Sequence, residues 1–430
     1  MYEDHRTSKF GLDKIVMLAL LLAGLLIAQI LIKAKSKINF LPPIELEHSG
    51  LAIPMPVGNG WQTKSDWKFE KNAFYIASAF IPRSGRPHAI AECQYSVAAE
   101  KLSPEEIIKQ KAIELKGEII KTGQIKNDSV TINYAHIEDK KTGNSAFFGY
   151  CILPDNRQLE IQAHQASDSD ISEKVFFHIA ENLKYQDNGS LSAGREIVEK
   201  LKNGNLSKSL TGQNLFLIRD SQNRPAGFSI EQIKNIPRNA PMVINGSNFL
   251  HLRGIFAQQS ISIFQSDSTL SQFNWKSQGV DNKKIQINFD ESGTMTVAEL
   301  GPAEAQSTYY PSNQALPDIF LQQALMQMID ANSQAATIDF IEDSGKITPT
   351  LISRVEPQKE AEYVFQLDSM DKSQPRQMVY LDENKTVTKM LFPDREIFLE
   401  RATAKEVIAV FPEYADLIMQ KKNVSPDDLI

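Results

Sequence analysis

The 430-residue chain contains few of the residues that build metal clusters or disulfide frameworks. Its two cysteines, Cys93 and Cys151, lie far apart in sequence and outside any C-x-x-C pair. This arrangement disfavours a zinc or iron–sulfur site. Neither cysteine closely follows the one long apolar run, which disfavours lipid modification of the usual bacterial lipoprotein kind.

The chain also lacks the motifs that mark common nucleotide and catalytic sites. It contains no G-x-x-x-x-G-K-[ST] or G-x-G-x-x-G loop, no H-E-x-x-H helix and no G-x-S-x-G elbow. The formal net charge is −7, whereas binding to duplex nucleic acid requires a basic patch. We therefore expect no cofactor and no nucleic-acid partner, and a catalytic function is disfavoured.

One long hydrophobic run is present near the start of the chain. Ile15–Ile32 holds eighteen residues with Gln29 as its only polar side chain, between Lys14 and Lys33. A helix of this length spans roughly 27 Å, close to the hydrocarbon thickness of a bilayer. The run is longer than the core of a signal peptide and is followed by lysines. We therefore predict an uncleaved, single-pass transmembrane signal-anchor.

The charges that flank this run do not decide its orientation, because three basic residues precede it and three follow it. The N-terminal tail, residues 1–14, is short. We therefore expect the N-terminus to be cytoplasmic and the C-terminal domains to be extracytoplasmic, in the periplasm or at the cell surface.

Two breaks divide the rest of the chain. Residues 33–60 carry four prolines and few periodic apolar residues, which predicts a semi-stiff stalk. Residues 187–194 are polar and contain glycine, which is typical of a linker. The breaks delimit one domain over 61–186 and a larger one over 195–422, followed by a tail at 423–430.

The first domain combines strand patterns with two amphipathic helices. Alternation within His88–Val97 predicts a half-buried strand with Cys93 facing inward. The segment Ser103-Pro104-Glu105-Glu106 predicts a capped helix start. With Gly60-Trp61 ahead, this order resembles the PsbP family and its bacterial relatives of the DcrB type. The resemblance implies an α/β/α sandwich on an antiparallel sheet and a non-enzymatic, extracytoplasmic role.

The second domain is dense in short strand patterns, separated by turn signals such as Asp290–Gly293 and Glu342–Gly345. One apolar helix is predicted over Leu316–Ala331. About eleven strands with a covering helix are similar to the LolA-like half-barrel, which carries or shields lipoprotein acyl chains. The predicted fold class is thus α+β: a transmembrane helix, a sandwich, and a large curved antiparallel sheet (half-barrel) with a covering helix.

Two sets of side chains are candidate sites. Cys93 and Cys151 lie on strand patterns of one predicted sheet, so a disulfide and two buried thiols are both open. The second set is the apolar helix face of Phe320, Leu321, Leu325 and Met328. This face either packs in the core or forms a lid over a hydrophobic ligand.

Three histidines of the first domain lie on or beside strand patterns. If His88, His136 and His164 converged, their imidazoles could bind zinc. Parity places His164 on the solvent side and His136 nearer the core, so we expect no metal site.

These observations predict a membrane-anchored, non-enzymatic protein of the cell envelope. It would bind or scaffold a protein partner or a hydrophobic ligand such as a lipid or lipoprotein. The alternative is an envelope hydrolase with a site in the polar loops of the second domain. An apolar cavity would favour the carrier, and a polar cleft with ionisable groups of shifted pKa would favour the enzyme.

Overall fold

The structure is a computed structural model, and it describes residues 38–419 with short gaps. The gaps are 59, 71, 82–88, 166–170, 204–211, 237–241, 254, 267–268, 279–283, 291, 301–304 and 358–360. Before residue 38 it describes only positions 21, 23 and 25, all helical, where Leu21 and Leu25 are 61% and 55% exposed. The predicted anchor and both predicted tails therefore lie outside the described residues, apart from those positions. Among the described residues, no helix is both long and apolar enough to cross a membrane.

The segment predicted as a stalk is folded from residue 39 onward, so that prediction is wrong there. It forms short strands that pair as β1 with β4 and as β12–β3–β2. Leu46, Leu51, Ile53 and Met55 are at most 3% exposed. The prolines fall at strand ends and turns, and the apolar alternation between them is buried. The strands are β1 (Asn39–Phe40), β2 (Ile44–Leu46), β3 (Leu51–Ile53), β4 (Pro56–Val57) and β12 (Lys184–Tyr185).

A seven-stranded antiparallel sheet follows, in the order β5-β6-β7-β11-β10-β9-β8. Its strands are β5 (Trp61–Glu70), β6 (Ala73–Phe80), β7 (Ala89–Ser96), β8 (Glu118–Lys126), β9 (Thr131–Asp139), β10 (Asn144–Leu153) and β11 (Arg157–Gln165).

Two helices cover opposite faces of this sheet. Helix α1 (Pro104–Glu114) begins with the predicted capping box: the Ser103 amide donates to Glu106 Oε2 at 2.8 Å, and the Glu106 amide donates to Ser103 Oγ at 3.3 Å. It packs on Phe148 of β10, whereas the neighbouring Gly149 faces Phe176 of helix α2 (Ile171–Asn182). Successive strand residues point to opposite faces, so the helices sandwich the sheet.

The segment predicted as a linker is instead the start of helix α3 (Gly189–Asn203), so the linker prediction is wrong from residue 189. Asn188 begins it by accepting a hydrogen bond from the Leu191 amide at 3.0 Å. Its buried residues recur at helical spacing and are Leu191, Gly194, Ile197, Val198 and Leu201. The polar residues between them gave the segment its linker-like composition.

The second sheet has fifteen strands, with β20 and β21 at its edges and β13 beside β27 at its centre. Among the described strand pairs of this sheet, β21 with β22 is the one parallel pair. The first half of the sheet is β13 (Gly212–Asp220), β14 (Pro225–Ile236), β15 (Met242–Leu252), β16 (Ile255–Ser266), β17 (Thr269–Gln278), β18 (Lys284–Phe289), β19 (Met295–Leu300) and β20 (Ala305–Tyr309). The second half is β21 (Ala315–Pro317), β22 (Ala335–Ile341), β23 (Ile347–Val355), β24 (Tyr363–Ser369), β25 (Gln377–Leu381), β26 (Val387–Phe392) and β27 (Ile397–Arg401).

This sheet curves until its two ends approach each other. Helix α3 contacts both β17 and β22, which are ten positions apart in the sheet. A Cβ built on Gly345, in the turn after β22, would lie 2.6 Å from the Val297 methyls of β19. Helix α4 (Leu321–Asp330), shorter than predicted, packs against α3. Helices α5 (Ala404–Val410) and α6 (Ala415–Ile418) pack on Leu215 and Phe228 in a separate cluster.

The chain is thus a mixed α+β protein built mostly on antiparallel sheets, as predicted. Buried apolar residues from Leu46 to Val387 belong to one cluster that spans both sheets. A buried ion pair between Arg157 of β11 and Asp339 of β22 also joins them. The two sheets therefore pack directly on each other.

Candidate functional site

A cavity of about 750 Å³ lies on the second sheet where helix α4 begins. Strands β13, β14 and β22–β27, the short turn of helix at residues 318–320 and the first turn of α4 contribute to its wall. Proteins bind drug-sized molecules in cavities of roughly 300–1,000 Å³. The cavity is therefore the candidate functional site.

One part of the cavity wall is apolar. Strand alternation directs these side chains to the same side of the sheet, and they come from β13, β22, β24 and β26. They are Phe216, Phe340, Leu367, Val387, Met390 and Phe392. This surface can bury a hydrocarbon portion of a ligand.

Another part carries carboxyl groups that are shifted toward their neutral form. Burial raises the pKa of Asp318 well above its ordinary value, and the charges of Asp343, Glu342 and Glu231 raise it further. Burial also raises the pKa values of Glu231 and Glu342. All four acidic residues line the cavity. Removal from water disfavours the charged form, so these carboxyl groups keep their protons to higher pH than exposed carboxyl groups do.

The carboxyl groups differ in the hydrogen bonds and positive charges that the protein offers them. Glu342 accepts hydrogen bonds from Thr348 Oγ1 at 2.9 Å and from the Gln374 amide. For Glu231, a hydrogen bond with Asn214 and the charge of Arg401 oppose the rise in pKa. For Asp318, the opposing influence is a hydrogen bond with the Ile319 backbone.

Gln323, in the first turn of α4, adds an acceptor to the same wall. Its side-chain oxygen Oε1 is buried and has no hydrogen-bond partner among the residues that the structure describes, and the residue is 6% exposed. A buried polar atom without a partner costs about 1–3 kcal/mol. A ligand with a hydrogen-bond donor would remove this cost.

The lining carries hydroxyl groups beside its carboxyl groups. Among the described residues, no histidine or cysteine lines the cavity, although Thr348, Ser369 and Ser373 supply hydroxyl groups. Acid–base catalysis by two carboxyl groups needs environments that push their pKa values apart. Here the resolved shifts of Asp318, Glu231 and Glu342 are all upward.

The structure places the predicted lid residues in two environments. Leu321 lines the cavity. Phe320, Leu325 and Met328 are at most 1% exposed and belong to the apolar core. For these three residues the core-packing alternative holds, because this helix face turns toward α3 and the sheet.

Cys93 and Cys151 are fully buried and free. They lie on β7 and β10, and β11 separates those strands. Two interstrand spacings put their Cα atoms roughly 10 Å apart, beyond the reach of a disulfide. Of the two alternatives, the pair of buried thiols holds and the disulfide does not. Burial raises the pKa of both thiols, that of Cys151 to about 12.

His136 and His164 lie on opposite faces of the seven-stranded sheet. His136 stacks on Phe147 at 4.4 Å and hydrogen-bonds Ser145 at 2.8 Å. His164 pairs in register with Ala146, the residue before Phe147, so it points the other way. These two imidazoles cannot share a metal ion, and His88 lies outside the described residues.

Glu47, His48 and Asp368 place possible ligand atoms within 4.8 Å of one another. The His48 Nε2 atom is 3.7 Å from Asp368 Oδ2. Lys372 lies across the carboxylates, with its Nζ 2.5 Å from Glu47 Oε2 and 3.3 Å from Asp368 Oδ1. The lysine supplies the positive charge, and the group forms an ion-pair network between the β2–β3 turn and β24.

No local sequence pattern groups Asp318, Gln323, Glu231 and Glu342. They come from β14, from the start of α4 and from the turn after β22, more than one hundred positions apart at the extremes. No short motif links such positions, and only the curvature of the sheet brings them to one cavity.

Comparisons with known proteins leave the family open. No protein-family model and no curated protein sequence matches the chain. Two solved structures resemble parts of it. One is a beta-barrel-like protein of a domain of unknown function, DUF1849, from Brucella abortus, at 12% identity and a TM-score of 0.31, covering 44% of this chain and 95% of that one. The other is LpqN, involved in cell envelope biogenesis of Mycobacterium tuberculosis, at 13% identity and a TM-score of 0.24, covering 36% and 94%. Similarity at this level carries no assignment of fold, ligand or partner, and the PsbP/DcrB-like and LolA-like resemblances stay predictions.

Proposed function

We propose that this protein is a non-enzymatic binding protein of the cell envelope that holds one amphipathic small molecule in the cavity of its second sheet. The observation that carries the proposal is the cavity of about 750 Å³, with an apolar wall and a polar wall. The apolar wall would bury a hydrocarbon portion, and the polar wall would orient the other end.

In this proposal the segment Ile15–Ile32 anchors the chain in the membrane, with the N-terminus in the cytoplasm and both sheets outside. Its length and composition support the anchor. The exposure of Leu21 and Leu25 on helical positions also supports it, because lipid-facing leucines need no protein contact. The bound molecule would then be a lipid or a related amphiphile close to the membrane surface.

A second candidate function is hydrolysis, and the clustered carboxyl groups of raised pKa favour it. Shifted pKa values mark many catalytic sites. Against it stands the common direction of the shifts at Asp318, Glu231 and Glu342, which leaves no group assigned as the ionised partner.

The test is to identify what the protein carries. The full-length chain is purified in lipid nanodiscs and denatured, and the released small molecules are measured by mass spectrometry. Gln377 lines the cavity, so Gln377→Trp would fill part of it. The matched control is Met378→Trp, because the next residue of β25 points to the other face.

We expect one released compound class from the unaltered protein and from Met378→Trp, reduced about tenfold in Gln377→Trp. Equal amounts from all three proteins would contradict binding in the cavity. Turnover of ester, amide or glycoside substrates that Asp318→Asn abolishes, with retained binding, would favour the hydrolase instead.

A further inference from the structure

The cavity wall near the start of α4 offers two hydrogen-bond acceptors, and no protein cation is among the largest influences on the pKa of Asp318. Asp318 lies in the short turn of helix that precedes α4, and Gln323 lies in the first turn of α4. The charges that shift the pKa of Asp318 most all come from other carboxyl groups. The side-chain oxygen of Gln323 is buried and accepts no hydrogen bond from the described part of the chain. A carboxylate and an amide oxygen both accept hydrogen bonds from cations.

We infer that the polar end of the bound molecule is a cationic amine, whose N–H groups donate to the Asp318 carboxylate and to Gln323 Oε1, with Glu231 and Glu342 nearby. This inference rests on the proposed function and names the ligand class of the same site. An ammonium group has three donors and no acceptor, which complements a wall of acceptors. Its charge would also offset the cost of ionising a buried carboxyl group.

A single metal ion is a poorer match for this wall. A metal requires its ligand atoms close together around one point. In the part of the chain that the structure describes, the one acidic or histidine group with all ligand atoms within 4.8 Å is Glu47–His48–Asp368, outside the cavity. The cavity carboxyl groups are spread more widely, as a molecule with several donors would need.

An anionic end is also a poorer match. Arg401 donates to Asn214 Oδ1 at 3.0 Å, and Lys346 pairs with Asp371, so both cations already have acceptors in the protein. Arg395 lies on the exposed turn between β26 and β27. The charges of Arg401 and Lys346 act on Glu231 and Glu342, and neither is among the main influences on the pKa of Asp318.

The test compares probes that share one tail and differ in the head group. Octylammonium, octanoate and octanol are titrated by calorimetry into the full-length protein in phosphatidylcholine nanodiscs at pH 7.5. Gln377→Trp in the same nanodiscs reports uptake by the lipid, which is subtracted. We expect octylammonium to bind at least about tenfold more tightly than the other two probes.

The possible outcomes separate the two claims. Equal binding of the three probes would overturn the amine inference and leave the proposed function standing. Tighter binding of octanoate would overturn the inference in the same way. Absence of binding beyond the lipid background for every probe would overturn both.

Variants of the two acceptors test the assignment of residues. Asp318→Asn and Gln323→Met should each weaken octylammonium at least about tenfold and leave octanol within about twofold. Gln327→Met is the matched control, since Gln327 lies one turn further along α4 and is not in the lining. Circular dichroism shows whether each variant is folded. If both folded acceptor variants bind octylammonium like the control, the inference is wrong.

Discussion

Arg157 donates hydrogen bonds to both carboxylate oxygens of Asp339, at 2.7 and 2.6 Å, with both side chains at most 3% exposed. The arginine also contacts Tyr95 Oη at 2.9 Å and Gln314 Oε1 at 2.6 Å. This network connects the seven-stranded sheet to the fifteen-stranded sheet. Each charge is removed from water, so each depends on the other for compensation.

Removing one partner of this pair should be strongly destabilising. We expect Arg157→Met to lower the free energy of unfolding by about 3–5 kcal/mol, because Asp339 would be left buried without its counter-ion. Urea unfolding of the full-length protein measures this. Lys140→Met is the control, because the side chains of the Lys140–Glu118 pair are 64% and 66% exposed and water screens their attraction, so its loss should have little effect. Equal effects of the two variants would contradict a role for the buried pair.

Two glycines at the start of α3 should respond differently to substitution by alanine. A Cβ on Gly194 would lie 1.8 Å from the Thr337 backbone oxygen, whereas a Cβ on Gly189 would meet nothing within 4 Å. We expect Gly194→Ala to destabilise the fold by about 2 kcal/mol or more. Gly189→Ala should be neutral or stabilising by up to about 1 kcal/mol. Thermal unfolding compares them, and a tolerated Gly194→Ala would argue against direct packing of α3 on β22.

The stability of the protein should depend on pH through Asp318. Burial raises its pKa in the folded chain above the unfolded value of about 3.9. The folded state therefore binds the proton more tightly, and its contribution to stability is lost as pH rises through the folded pKa. We expect the loss of unfolding free energy between pH 5 and pH 8 to be smaller in Asp318→Asn than in the unaltered protein. An identical pH profile for the two would refute the shift.

The two thiols should be unreactive in the folded protein. Cys93 and Cys151 are fully buried, and burial raises both pKa values, so little thiolate is available for attack. Ellman's reagent should detect almost no thiol in the native chain and two thiols per chain after denaturation without reductant. Detection of two thiols only after reduction would instead indicate a disulfide.

The proposed membrane topology has its own test. Ser129 is exposed in the loop between β8 and β9, so Ser129→Cys introduces an accessible thiol while the native cysteines stay shielded. We expect a membrane-impermeant maleimide to label this variant in cells whose outer barrier has been opened and whose inner membrane is intact. Labelling only after complete lysis would place both sheets in the cytoplasm. The unaltered chain gives the background.

Local sequence patterns were sufficient for the elements whose stability is local. The capping box at Ser103 and Glu106 is an interaction between residues three positions apart. The alternation around Cys93 predicts a strand with one buried face, and the structure has that strand. Composition predicted a stalk and a linker wrongly, because both segments contain proline or glycine and polar residues. They also contain Leu51, Ile53 and Leu191, which are buried in the folded chain. Their burial depends on partners elsewhere in the chain.

The candidate site depended almost entirely on long-range packing. Helical spacing predicts Leu321 as part of an apolar helix face, but it does not predict a role for Asp318 or Gln323 beside it. The significance of these polar residues comes from burial and from Glu231 and Glu342, whose positions depend on sheet order.

The amino-acid sequence alone establishes the α+β fold class, the strand-rich second half and the apolar N-terminal run. These features follow from hydrophobic periodicity and from the length of apolar runs, which are properties of residues close together in the chain. Three other features depend on the tertiary structure: the direct packing of the two sheets, the position of α3 between β17 and β22, and the cavity. Arg157 and Asp339 are separated by 182 positions, and no local preference can encode such a contact. The curvature that makes the cavity arises from the pairing of fifteen strands together.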